Sequence, residues 1–224
     1  MLLIRHGRTS ANAAGVLAGR MPGIMLDDVG RAGVTQLAKR ISQVQVAQVV
    51  TSPLERTVET ASLLFDSNVP LAHETRLIEC DYGMWQGRQL SELAQDELWS
   101  VVQSTPDQMV FPDGEAMSEM ATRAVEAVRQ WDATLTSMHG DKVVWAAVSH
   151  GDVIKAICAD AMGLPLREFQ RLVIDPASVC VIHYTESGSA LSKLNDTGDS
   201  WISGLEKSFV GPTLGGQTGQ EVAP

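Results

Sequence analysis

Residues 2–12 read LLIRHGRTSAN, a short apolar run that stops at Arg5-His6-Gly7 and passes into a polar cluster. Such a run, ended by a glycine turn, predicts a buried strand. A strand that delivers Arg and His onto its exit calls for something anionic there. The pattern recurs twice. QVAQVVTS, residues 45–52, is followed by PLER, and KVVWAAVSHG, residues 142–151, ends in Ser149-His150-Gly151. In open parallel α/β sheets, ligands bind beyond the carboxyl ends of the strands. If the three strands are neighbours, Arg5, His6, Arg56 and His150 converge on one spot.

The intervening segments read as helices. Asp27-Asp28 offers an N-cap for a helix over 29–43, and Pro53 fits the first turn of a helix running to Phe65. In 114–140, Met117, Met120, Ala124, Val128 and Trp131 recur at helical spacing and Gly140 closes the run. Residues 152–163 form a shorter helix ended by Gly163. SVCVIHYT, 178–185, alternates as a later strand, paired with one near 190–194. This interleaving predicts an α/β fold with a mainly parallel sheet covered on both faces. Helices starting near Pro53 and Gly151 then aim their first N–H groups at the same spot, where a phosphoryl group would find what it needs.

At 224 residues, 44% hydrophobic and 20% charged, the chain suits one domain with a full core. A net charge of -10 argues against nucleic acid or an anionic membrane surface as the main partner. An acidic chain that binds an anion must gather its few cations locally. Cys80, Cys158 and Cys180 are widely spaced and lack a metal-ligand pattern, so a reducing, cytoplasmic setting is expected rather than a disulfide framework. No signal peptide or membrane-spanning segment is expected. The domain is placed at 1–203. The Gly-rich tail, 204–224, is expected to be mobile.

Four segments together resemble the histidine phosphatase superfamily, which includes the cofactor-dependent phosphoglycerate mutases. LIRHGRTSAN resembles its RHG signature, and SPLERTVETA its Ser-x-x-x-Arg-x-x-x-Thr-Ala segment. ECDYGMWQG resembles its acid-bearing loop and VSHGDVIKA its second histidine motif, all in the family's order. The resemblance implies a three-layer α/β/α sandwich and a phosphohistidine route. His6 would attack phosphorus while Arg5, Arg56 and His150 hold the oxygens, with Asn12 and the Gly151 turn as further phosphate contacts. Glu79 would act as general acid and then as the base that activates water. Asp152 and Asp81 are the competing carboxylates. Gln86 departs from the family pattern, in which many phosphatases carry Glu before the glycine. Neutral imidazole is a competent nucleophile near pH 7 if a backbone carbonyl holds its other N–H. Cations in this number make a metal or other cofactor unnecessary.

The same resemblance makes an insertion, about 80–114, a lid over the site. Its stretch 89–114 holds no Lys or Arg but carries Glu92, Asp96, Glu97, Asp107 and Asp113. Mutases of the family have a longer, basic insertion that grips the substrate carboxylate. The expectation is therefore a phosphomonoesterase acting on a small-molecule ester, with a phosphoglycerate mutase as the alternative. A phosphoprotein phosphatase and a non-catalytic phospho-ligand module rank lower. Trp85, Leu98, Trp99, Val102, Met109 and Phe111 are available to an apolar substrate body, although packing of the lid onto the core accounts for most of them. Arg8, Arg20 and Met21 are further candidates for the pocket wall. Edge strands near the C-terminus could pair two copies into a homodimer.

Overall fold

The computed structural model describes residues 1–198 and 214–216. Its six strands are β1 (Leu2–Arg5), β2 (Val49–Thr51), β3 (Leu71–His73), β4 (Ala146–Ser149), β5 (Val179–Thr185) and β6 (Gly188–Asp196). They form one sheet in the order β3-β2-β4-β1-β5-β6. β3, β2, β4 and β1 pair in parallel, and β5 runs antiparallel to β1 and to β6. The three strands with polar exits, β2, β4 and β1, are therefore adjacent. Arg5 stands opposite Ser149 in the register and Thr51 opposite Val148.

The α-helices are α1 (Ser10–Ala13), α2 (Asp28–Ile41), α3 (Glu55–Leu64), α4 (Leu90–Leu93), α5 (Trp99–Ser104), α6 (Met117–His139) and α7 (Gly151–Ala161). The period-2 alternation of the strands divides the core between the two sheet faces. Leu2, Ile4, Val49, Ala146 and Val148 pack with Val34 and Leu37 of α2 and Ala61 and Leu64 of α3. Leu3, Val50, Ala147 and Cys180 face the other way, against Met120, Ala124 and Val128 of α6 and Ile154 and Ile157 of α7. Asp27 caps α2 through the Gly30 N–H at 2.6 Å, and Gly140 ends α6 at φ 87°. The three-layer sandwich is as expected.

Several boundaries differ. β2 and β4 are shorter than the apolar runs that announced them, and β6 is longer. Gln48 still accepts the Ala146 N–H at 2.9 Å, and its side chain donates to the carbonyls of Val49 and Pro70, both at 2.9 Å. The segment 80–114, expected as a lid, holds a 3-10 turn at Gly83–Trp85, α4, α5 and a second 3-10 turn at Pro106–Gln108. The apolar residues offered above to a substrate body serve packing instead. Trp85, Val102, Met109 and Phe111 are buried in the core, and Leu98 and Trp99 pack against it. Three residues of the tail, 214–216, are described. Leu214 is buried in the core on the α6–α7 side, and Gly215 and Gly216 sit beside Arg5. The rest of the stretch expected to be mobile lies outside the described residues.

Candidate active site

His6 follows β1 directly, and Gly7 is required by what lies behind it. A Cβ there would come within 2.7 Å of Val34 Cγ2 and 2.9 Å of the Gly30 carbonyl of α2. That close approach holds the strand exit against the helix. The His6 Nδ1 lies 2.7 Å from the Gly7 carbonyl, which can only accept, so Nδ1 carries the proton. Nε2 is then a lone pair, and Arg56 Nε donates to it at 3.3 Å. Burial, then Arg56 and Arg5, push the His6 pKa well below the usual value. The imidazole is neutral and aimed.

Two buried guanidinium groups flank it. Arg56, on the first turn of α3, donates to the Gly19 carbonyl at 2.7 Å, and burial lowers its pKa to about 10. Arg5 donates to the carbonyls of Ile174 at 2.7 Å and Gly215 at 3.0 Å. His150 caps the start of α7, with its ring centroid 5.3 Å from that of His6 and its Nε2 2.7 Å from Ser52 Oγ. Burial, then Arg56, holds His150 neutral as well. Among the described residues, Arg56 Nη1 and His150 Nδ1 are buried without a hydrogen-bond partner. Buried polar groups are rarely left so.

Glu79 completes the pocket. It is 3% exposed, and its Oε1 accepts the Cys80 N–H at 2.9 Å. Burial, then the negative charge of Asp152, raises its pKa to about 7. Asn12 lines the same pocket. Its carboxamide oxygen accepts from Thr9 N at 3.1 Å and Thr9 Oγ1 at 2.9 Å, which leaves its NH₂ to donate. The apolar wall is made by Val16, Leu17, Ala18, Leu90 and Leu214.

The remaining candidates lie elsewhere. Gly151 packs beneath the tail, where a Cβ would collide with the Gly215 carbonyl, so it seats the turn rather than lining the pocket. Asp152 accepts from Tyr82 Oη at 2.8 Å, Gly215 N at 3.0 Å and Lys155 Nζ at 3.3 Å. Three donors commit it to a structural network. Asp81 accepts from Gly83 N and pairs with Arg20 at 3.3 Å. Arg8 is held by Asp27 at 2.8 Å, Arg20 turns away from the pocket, and Met21 lies against Gly87. Gln86, the departure from the family pattern, accepts from the Arg20 N–H and so fixes the Gly19–Arg20 turn. Asp96 pairs with Arg88 at 3.8 Å and Asp107 with Arg167 at 3.5 Å. No lid carboxylate lines the pocket. The sequence reading missed Ser52, Tyr82 and Gly215.

His6, Arg56, Asn12 and the buried carboxyl of Glu79 line one cleft, while Arg5 and His150 are fully buried and do not line it; the grouping suits a tetrahedral oxyanion. The histidine phosphatase superfamily (branch 1) profile matches residues 1–197, and the chain belongs to that superfamily. It is an enzyme of phosphate-ester hydrolysis. It is 29% identical over 208 residues to phosphoserine phosphatase 1 of Hydrogenobacter thermophilus, covering 88% of this chain and 92% of the relative. It is 30% identical over 189 residues to a protein of Erwinia tasmaniensis named "probable phosphoglycerate mutase GpmB", covering 83% and 85%. The structure of Bacillus stearothermophilus YhfR superposes with a TM-score of 0.78 at 25% identity, covering 87% of this chain and 95% of that one.

Proposed function

We propose that the chain is a metal-independent phosphomonoesterase that hydrolyses a small-molecule ester through a phosphohistidine on His6. The observation that carries this reading is the His6 ring itself. Its Nδ1–H is fixed on the Gly7 carbonyl and its Nε2 lone pair faces the pocket beside Arg56. In the first half-reaction Nε2 attacks phosphorus, the P–O bond to the alcohol breaks, and Glu79 gives its proton to the departing oxygen. In the second, ionised Glu79 takes a proton from water as that water attacks phosphorus and the N–P bond breaks. Arg5, Arg56, His150 and the Asn12 amide neutralise the oxygens throughout, in a site where charge stabilisation does most of the work.

The alcohol part of the substrate is read as apolar or uncharged. Among the described residues, Arg56 is the only cationic side chain lining the pocket, and it belongs to the phosphoryl end. No described side chain is placed to grip a carboxylate. A mutase must also return the phosphoryl group from His6 before water takes it, and nothing described adds a basic grip for a phosphoglycerate. The compartment is read as the cytoplasm on the three cysteines, all buried and free. Among the described residues no helix is long and apolar enough to cross a membrane.

One experiment tests the assignment. Phosphate release is measured over a panel of phosphomonoesters in excess EDTA, beside an assay for interconversion of 3- and 2-phosphoglycerate. Release from phosphate esters of uncharged alcohols that survives chelation, with no interconversion, is expected. Loss on chelation with rescue by divalent ions would remove the metal-independent reading, and efficient interconversion would replace hydrolase by mutase. Replacing either Arg5 or Arg56 by Ala is expected to raise the barrier by about 2.7–4 kcal/mol, as for loss of one preorganised donor, measured as kcat/KM.

A further inference from the structure

Among the described residues, the Glu79 side chain makes one hydrogen bond, accepting the backbone N–H of Cys80. Its carboxyl is therefore placed by its backbone, and that backbone, from Arg76 to Asp81, has only a 3-10 turn at Thr75–Leu77 to shape it. Irregular backbone must find its hydrogen-bond partners elsewhere. Ser149 Oγ takes the Leu77 carbonyl at 2.7 Å and the Glu115 N–H that of Asp81 at 3.0 Å, and two arginines that do not line the pocket take those of Arg76, Ile78 and Glu79. Arg123, on α6, donates from Nη1 to the carbonyls of Arg76 at 2.6 Å and Ile78 at 2.8 Å. Its Nη2 reaches the Glu79 carbonyl at 3.2 Å. Arg20 Nε donates to that same Glu79 carbonyl at 2.9 Å.

Two guanidinium groups on one carbonyl repel each other unless an anion lies between them. Glu115 is that anion. Its Oε1 accepts from Arg20 Nη2 at 2.8 Å, Arg123 Nη2 at 2.6 Å and Asp81 N at 2.9 Å, and its Oε2 accepts from Arg123 Nε at 3.1 Å. A carbonyl oxygen has two lone pairs, so one donor leaves it free to swivel and two fix its direction. The clamp also reaches the other side of the cleft. Arg20 follows Gly19, whose carbonyl holds Arg56.

We infer that Glu115, with Arg123 and Arg20, is a positioning unit for the proton-transfer residue: it orients Glu79 against the leaving oxygen without touching substrate. The inference rests on the role given to Glu79 above. The physical reason is tolerance, since a displacement of about 1 Å in a reacting group costs roughly 10²-fold. A carboxyl held by one neighbouring N–H has little else to keep it in place.

The test uses the full chain carrying Glu115→Gln, which keeps the shape and removes the charge that gathers the arginines, and Arg123→Lys beside it. kcat/KM is measured on p-nitrophenyl phosphate and on the best alkyl phosphate of the panel. Amide exchange is followed at Cys80 and Asp81. The expected result is a loss of roughly tenfold to a hundredfold on the alkyl ester, within about threefold of wild type on the aryl ester, with faster exchange at both amides. Unchanged exchange in both variants overturns the clamp, whatever Glu79 does. Faster exchange with equal losses on the two esters makes the unit a structural brace and overturns its positioning role. Glu79→Gln is run in parallel. If that variant shows no difference between esters, the assignment of Glu79 fails instead, and the positioning role fails with it.

Discussion

His6→Ala is expected to lose turnover by about 10⁴-fold or more, the scale seen when a covalent nucleophile is removed. Wild-type enzyme quenched during turnover of a labelled ester should carry phosphate in an acid-labile, alkali-stable bond, and the variant should carry none. The expectation follows from the ring's fixed tautomer. With Nδ1–H on the Gly7 carbonyl, Nε2 is the one nitrogen free to form a bond to phosphorus. A pKa held well below the usual value keeps that lone pair available on the acidic side of neutrality. Near wild-type turnover by His6→Ala, or label recovered on another side chain, would refute the covalent route.

Glu79→Gln is expected to separate the two half-reactions. Glutamine cannot surrender a proton, so alkyl phosphates, whose alkoxides leave badly, should fall by about 10²–10⁴-fold in kcat/KM. An aryl phosphate needs little protonation, and its first step should be nearly spared. Water activation is lost as well, so the variant should release a burst of aryl alcohol and accumulate phosphoenzyme. The pH dependence has a definite sign. Burial, then Asp152, raises the Glu79 pKa to about 7, and the acid must be protonated to work. For the wild type, kcat/KM on an alkyl ester should therefore decline as pH rises through about 7. The aryl ester should lack that limb, and so should Glu79→Gln. Equal losses on both esters without a burst would remove Glu79 from proton transfer.

Much of this arrangement is legible in the sequence, for a physical reason. A parallel strand buried on both faces is written as an unbroken apolar run, so polar residues at its end stand out. Arg5-His6, Ser52 to Arg56 and Ser149-His150 each mark such an end, and their adjacency in the sheet follows from the order β2-β4-β1. β3 escaped notice because Leu71–His73 is three residues long and alternates between exposed and partly buried. The lid's carboxylates set it apart from the basic insertion of the mutases, but charge along a segment does not reveal where side chains point. Asp96 and Asp107 meet arginines at the surface instead. Ser52 closes the run QVAQVVTS, and nothing local says that its hydroxyl meets His150. The glycine-rich tail has no periodicity from which a docking position can be read. Its role lies in the Arg5 and Asp152 groups that receive it.

The seat of that turn ties distant parts of the chain together as a unit of inheritance. Gly151 leaves room for the Gly215 carbonyl, and a Cβ at Gly216 would come within 2.8 Å of Arg5 Nη1. A side chain acquired at 151 would evict the turn, one at 216 would press on Arg5 and Gly151, and one at 215 would press on Leu17. Substitutions at these positions should therefore be accepted together or not at all. Hybrids that exchange C-terminal segments among relatives should retain activity only when the residue after the second histidine is exchanged with them.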